Sequence, residues 1–301
     1  MTSVTAPLIP VFDSPFDPTN DAAYQAWREQ KLAGYPTSLA DLVVPVNNLL
    51  QLTADEYQAI SSRLKKTNMA IYASCAEATR DKALIRAIGR QFGLERLDHN
   101  MCADNDAITS LSVQEDALHQ GYIPYTTRPI AWHTDGYYND ADHQIRGLLL
   151  HCVQPAESGG SNELMDHEIA YLLLRDENPQ YIEALMHPEA MTIPANIENG
   201  AELRPARSGP VFRVYPDGAL HMRYTDRNRS IEWRNDSLTL EAVAALKAIL
   251  HNQTSYQFTG TLQPGQGLIS SNVLHTRTQF ENGEHERLIY RARYFDAIHF
   301  Q

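Results

Sequence analysis

Cysteine is scarce in this 301-residue chain: Cys75, Cys102 and Cys152 are far apart, odd in number and form no CxxC pair. That excludes a disulfide framework and a structural zinc knuckle. It fits a reducing, cytoplasmic setting in which each thiol is a small buried apolar group. No apolar run approaches the roughly 18 residues of a membrane helix, and the opening MTSVTAPLIPVFDSPFDP lacks the basic end and apolar stretch of a secretory signal. Positive charge is also in deficit. With 25 Lys+Arg against 37 Asp+Glu the formal net charge is −12, so no basic face for nucleic acid is expected. There is no Walker A loop, no GxGxxG and no GxSxG elbow. His167-Glu168 and His285-Glu286 begin like HExxH, but neither has the second histidine, which removes a metalloprotease helix.

What remains is 43% hydrophobic and 21% charged, enough for a globular core. Residues 1–50 hold six prolines and read as an extended N-terminal arm with a short helix near Asp21–Leu32. Thr53 to about Lys66 is amphipathic, with Thr53 and Glu56 as a capping box. Met69–Ala73 reads as a strand, and Arg80–Phe92 as a helix with Leu84, Ala87, Ile88 and Phe92 on one face. From about Ile108 short apolar runs separated by turns dominate: ITSLSV, AWHTDGYY, RGLLLHCV, PVFRVY and ALHMRY. Helices are predicted at about Asp166–Met186 and at Thr239–His251, followed by strands at Ser255–Thr261, Gly267–Ser271 and Arg287–Phe295. No repeat or linker divides the chain, so residues 1–301 are expected to form one domain of mixed type, a sandwich or barrel carrying helical layers.

The residues with chemistry sit in this strand-rich part. In Ile130-Ala-Trp-His-Thr-Asp-Gly-Tyr-Tyr138, His133 and Asp135 would share one face of a strand, because residues i and i+2 point the same way. One more histidine would complete a 2-His-1-carboxylate triad, the ligand set of non-haem Fe(II). His275 is the candidate, after a Pro-Gly turn and the strand Leu268–Ser271. Twelve residues on, Arg287 opens Arg-Leu-Ile-Tyr-Arg-Ala-Arg-Tyr294, in which Arg287 and Arg291 share a face. A guanidinium near such an iron suits a carboxylate-bearing cosubstrate, which it grips with two parallel hydrogen bonds.

With these residues in place, the chain resembles the TauD/TfdA-type Fe(II)- and 2-oxoglutarate-dependent dioxygenases, the group that includes gamma-butyrobetaine hydroxylase-like enzymes. The resemblance is best in Gly121–Leu174 and Gly260–Phe295, and weaker before residue 100 and across 187–255. It implies an α+β fold, a double-stranded β-helix (jelly roll) with flanking and inserted helices. It also implies His133, Asp135 and His275 as metal and catalytic residues, with Fe(II) and O2, and Arg287 as partner of the distal 2-oxoglutarate carboxylate. Asn162, in Gly159-Gly-Ser-Asn162, stands where the family often has Thr or Ser against that carboxylate. Arg291 matches the arginine that meets an anionic substrate in taurine-type members. The implied reaction hydroxylates or oxidatively cleaves a small anionic or amino-acid-like molecule and forms succinate and CO2. Asp135 itself favours oxidation over the halogenation of relatives that lack the carboxylate. Tyr137, Tyr125 and Arg223 are further candidates for substrate contact, whereas Trp132, pointing opposite to His133, is expected in the core. No nucleic-acid or membrane partner is expected, and a homo-oligomer is the ordinary expectation for such a protein. Two alternatives compete: a non-catalytic jelly roll that binds a small ligand, and a zinc hydrolase on the same three donors.

Overall fold

The apolar runs pair into two sheets with the histidines of interest on one of them. The computed structural model describes residues 14–74, 80–99, 104–114, 122–198, 200–227 and 229–300; Cys75, Cys102 and Gly121 lie outside them. Ten strands form these sheets: β1 (Val43–Pro45), β2 (Met69–Ala73), β3 (Thr109–Leu111), β4 (Ile130–His133), β5 (Gly147–Gln154), β6 (Asn162–Met165), β7 (Gln257–Gly260), β8 (Gln266–Ser270), β9 (Leu274–Arg277) and β10 (Leu288–Tyr294). The larger sheet has the order β1-β2-β8-β5-β10-β3, the smaller β7-β6-β9-β4. All neighbours are antiparallel except β1 with β2.

The larger sheet is buried on both faces, which is why its strands read as continuous apolar runs rather than as alternation. Met69, Ile71, Leu148, Leu150, Cys152, Leu268 and Ile289 face the smaller sheet and share its core. Ala70, Tyr72, Leu149, Val153, Ile269, Tyr290 and Ala292 face outward, into a second core with Ile60 and Leu64 of helix α2 (Ala54–Thr67) and Ile85 and Ile88 of α3 (Lys82–Gln91). The Thr53–Glu56 capping box of α2 forms as expected, a device worth about 1 kcal/mol. Cys152 is free and buried, and burial pushes its thiol up to about 12.

Residues 14–50 are not an extended arm. Helix α1 (Asp21–Leu32) docks on α4 (His167–Glu177): Tyr24 donates to the Leu172 carbonyl, and Lys31 pairs with Asp166 and Glu168 at 2.6 and 2.5 Å. Pro15 and Pro18 lie in turns. Arg175 donates to the carbonyls of Pro15, Asp17 and Pro18, and β1 joins the larger sheet. The helix expected over Asp166–Met186 is two, α4 and α5 (Pro179–Leu185), because Pro179 cannot continue a helix and Asn178 caps the next one by accepting from the Gln180 N–H. These pack with α6 (Ser237–His251) into the core of the smaller sheet. Between α5 and α6, residues 191–233 form short antiparallel pairs, among them Phe212–Val214 with Leu220–Met222. That segment returns beside β4, where Thr225 bridges His133. Among the described residues no helix is long and apolar enough to cross a membrane.

His221, in the Leu220–Met222 strand, donates from Nε2 to the Ile145 carbonyl, and burial pushes its pKa down to about 3. The folded value lies below the unfolded 6.5, so its stabilisation is complete above pH 6.5 and is lost as the pH falls toward 3. His221→Gln is expected to flatten the fall in urea-unfolding stability between pH 6.5 and 5 by up to about 1.4 kcal/mol per pH unit; an unchanged slope would show that His221 takes up its proton while folded.

Candidate active site

The two histidines are brought together by strand pairing. His275 on β9 lies opposite His133 on β4, and their ring centroids are 4.2 Å apart. Each ring is oriented by its own strand. Nδ1 of His133 donates to the Ala131 carbonyl at 2.9 Å and Nδ1 of His275 to the Val273 carbonyl at 3.0 Å. A carbonyl only accepts, so the proton sits on Nδ1 and the Nε2 lone pairs are left as donors to a metal. Asp135 follows His133 by two residues, just past the end of β4. There Gly136, at φ +69°, turns the chain; a Cβ at that position would lie 2.4 Å from Ile145. His133, Asp135 and His275 each offer one ligand atom, all within 4.8 Å of one another.

Electrostatics prepares the same three groups. Burial, and then the neighbouring His275, pushes the His133 imidazolium down to about 3; burial also lowers His275. Both rings are therefore neutral at physiological pH. Burial alone would raise Asp135, but Arg291 and Arg293 outweigh it and hold the carboxyl well below the usual carboxylate range. Among the described residues its buried Oδ2 has no hydrogen-bond partner. Two neutral imidazoles and an ionised carboxylate with a spare oxygen fit a divalent ion, and as a 2-His-1-carboxylate set they suit Fe(II).

A cleft beside the two histidines is lined by Asn162, Thr276, Arg277, Arg287 and Arg291, with apolar walls from Leu111, Ile130, Leu150, Leu262 and Ile289. The Arg287 guanidinium is buried and lies 5.0 Å from the Phe280 ring; burial lowers its pKa to about 10. Among the described residues no carboxylate pairs with it. The Gly159-Gly160 turn passes beside it, and a Cβ on Gly159 would meet the Gln279 carbonyl at 2.1 Å. Asn162 also lines the cleft, but its Nδ2 donates to the Thr276 carbonyl at 2.6 Å. Arg291 points at Asp135, with Nη1 3.4 Å from Oδ1.

The other expected contacts divide. Tyr137 is buried close behind Asp135, edge-on to Tyr138, with the Arg227 guanidinium 5.6 Å over its ring. Tyr125 is a core residue within the 3-10 turn Ile123–Tyr125 and does not line the cleft. Arg223 is not at the mouth either: it is buried and donates to the carbonyls of Tyr137, Met191, Gly209 and Arg207, bracing three segments. Trp132 packs in the core as expected. Sequence reasoning missed Arg277, two residues after His275. It fastens residues 123–128 over the cleft by donating to the carbonyls of Ile123, Pro124, Thr126 and Arg128. A bulge between His275 and Arg277 sets its direction, which period-two reading does not foresee.

Comparison with known proteins agrees with this geometry. The family model for taurine catabolism dioxygenases, TauD/TfdA, matches residues 48–293. A uridine-5′-phosphate dioxygenase from Amycolatopsis sp is 31% identical over 189 residues, which is 60% of this chain and 65% of that one. Another from Streptomyces sp is 26% identical over 271 residues, 86% of this chain and 92% of that one. The crystal structure of a taurine dioxygenase from Burkholderia xenovorans is similar in fold, with a TM-score of 0.57 at 17% identity, covering 86% of this chain and 89% of that one. Fold and site thus define a 2-oxoglutarate-dependent non-haem iron dioxygenase with a jelly-roll core, whose cofactors are Fe(II), 2-oxoglutarate and O2. The chain belongs to the TauD/TfdA family. Nothing in the geometry favours the non-catalytic alternative, since both histidines, the carboxylate and Arg287 are all present around one cleft.

His133→Ala, Asp135→Ala and His275→Ala are each expected to abolish Fe(II) binding and 2-oxoglutarate turnover while the circular dichroism spectrum stays native; full turnover in any of them would remove that residue from the donor set. Arg287→Ala is expected to raise the KM for 2-oxoglutarate at least tenfold, because it removes binding to the far carboxylate. An unchanged KM would transfer that role elsewhere.

Proposed function

We propose that the protein oxidises a small phosphate-bearing molecule of the nucleoside 5′-monophosphate class. In this reading His133, Asp135 and His275 hold Fe(II), Arg287 anchors the far carboxylate of 2-oxoglutarate, and Asn162 and Thr276 line that pocket. The observation that carries the cosubstrate role is Arg287 itself, a buried cation that faces the triad's cleft and has no acidic partner among the described residues. Such a group is costly unless an anion arrives to meet it.

When bound, iron with 2-oxoglutarate and O2 supplies the oxidant, and the cosubstrate leaves as succinate and CO2. The chain supplies the rest. Neutral imidazoles present Nε2, the arginines beside Asp135 keep it ionised, and the apolar cleft walls exclude water from the reacting centre.

The phosphate reading is supported by the two relatives named uridine-5′-phosphate dioxygenase and by local charge. In a chain of net charge −12, burial and then the neighbouring Arg207 lower the pKa of Arg204, and Arg227 stands over Tyr137. The nearest acid in sequence, Asp226, is occupied by Lys247 and His251. Arg207 reaches Asp140 at 3.6 Å, and among the described residues no acid pairs with Arg204 or Arg227; guanidinium groups gathered in this way suit phosphate. Tyr137 borders this cluster, while Arg291 remains the cation nearest the metal ligands. The buried free thiol of Cys152 accords with a reducing cytoplasm, and the acidic net charge with a small-molecule rather than a nucleic-acid partner. Homo-oligomerisation belongs to the same proposal.

Succinate release is expected to rise at least tenfold on adding uridine 5′-phosphate and to stay near the unstimulated rate with uridine. Arg227→Ala is expected to raise the KM for the nucleotide and leave that for 2-oxoglutarate unchanged. Equal stimulation by uridine would refute the phosphate reading.

A further inference from the structure

The geometry points to Asn272 as a positioning residue of the metal centre, one that locks the backbone of Asp135 to the segment carrying His275. The inference rests on reading His133, Asp135 and His275 as the metal donors. Asn272 is 1% exposed, and its side-chain amide meets Asp135 twice. Oδ1 accepts from the Asp135 backbone N–H at 2.8 Å, and Nδ2 donates to the Asp135 carbonyl at 2.9 Å. Nδ2 also donates to the Ile145 carbonyl at 2.8 Å, where the turn that begins at Gly136 rejoins the sheet.

The clamp repairs a gap that the metal site itself creates. The register His133 to His275, carried two residues further, would set Asp135 opposite Val273. That rung does not form, because the Val273 carbonyl is taken by Nδ1 of His275 and the chain leaves the sheet at Gly136. In an antiparallel pair, a hydrogen-bonded partner offers one donor and one acceptor to the same residue. A primary amide offers the same two groups, so Asn272 stands in for the missing strand neighbour. Its backbone is left-handed at φ +56°, a conformation that Asn tolerates better than most residues. The Asp135 carboxylate has little else to fix it: among the described residues Oδ2 has no hydrogen-bond partner, and Oδ1 has the 3.4 Å contact with Arg291 and lies 3.8 Å from Nε2 of His133. Its direction therefore depends on where its backbone is held. A single side chain three residues before His275 does this and thereby sets the distance between the two donors.

Co(II) binding, read from its visible absorption, tests the role without turnover, with metal-free thermal melting measured in parallel. Asn272→Gly keeps the left-handed backbone and deletes the amide; Asn272→Asp keeps the acceptor and loses both donated bonds. Each is expected to weaken Co(II) binding about 10- to 100-fold, the usual effect of removing an outer partner of a ligand. Leu246→Ala, in the buried face of α6, is the comparison: it is expected to lower the melting temperature while Co(II) affinity stays within twofold. Wild-type Co(II) affinity in either Asn272 variant would overturn the proposal, as would an equal loss in Leu246→Ala. Asp135→Ala separates the underlying reading: if it too bound Co(II) like the wild type, the assignment of the donors would fail, and the clamp with it.

Discussion

The pairing of β4 with β9 in the register His133 to His275 is the constraint on which the rest depends. Side chains alternate between the faces of a strand, so a slip of one residue would send one imidazole to the opposite side of the sheet. The smaller sheet therefore acts as a ruler. Its backbone ladder decides that two rings 142 residues apart in sequence stand side by side. Asp135 is the exception, since it lies beyond the ladder and needs other means of support. The turn at Gly136 and the amide of Asn272 are where that support is concentrated.

Buried arginines show how partners assign roles to chemically identical side chains. Arg223 and Arg277 spend their donors on backbone carbonyls and act as struts. Arg293 binds Asp98 and the Tyr138 hydroxyl, and its charge helps to keep Asp135 ionised. Among the described residues neither a carbonyl nor a carboxylate meets the Arg287 guanidinium, although burial lowers the pKa of Arg223, Arg277 and Arg287 alike. The difference lies in the desolvation that each charge has had compensated inside the protein. The strut arginines already spend most of their donors inside the protein, whereas Arg287 keeps its donors for the anionic guest proposed above.

Much of this was legible in the sequence. The two-residue spacing of His133 and Asp135 on a strand, the histidine after a Pro-Gly turn and the arginine twelve residues on identify the cleft, because each rests on strand periodicity. Helix α1 falls on the residues expected, Asp21–Leu32, and β2 likewise on Met69–Ala73. Features set by three-dimensional satisfaction of polar groups were not legible. Nothing in the local pattern says that Arg223 would find four carbonyls, that Tyr125 would turn inward, or that the proline-rich start would be gathered by Arg175. Asn272 was visible only as an asparagine before Val-Leu-His. Its meaning appears once the Val273 carbonyl is known to be engaged by the ring of His275.

Arg223 has one more consequence. It binds the carbonyls of Met191, Arg207 and Gly209 on one side and that of Tyr137 on the other. The short hairpins of residues 191–233 are thereby hitched to the stretch just after His133 and Asp135 through main-chain oxygens, which every residue type possesses. Side chains along those hairpins can change in evolution without loosening the hitch. A lineage could thus be retailored toward new compounds in that insert while the oxidative centre beneath it stays as it is.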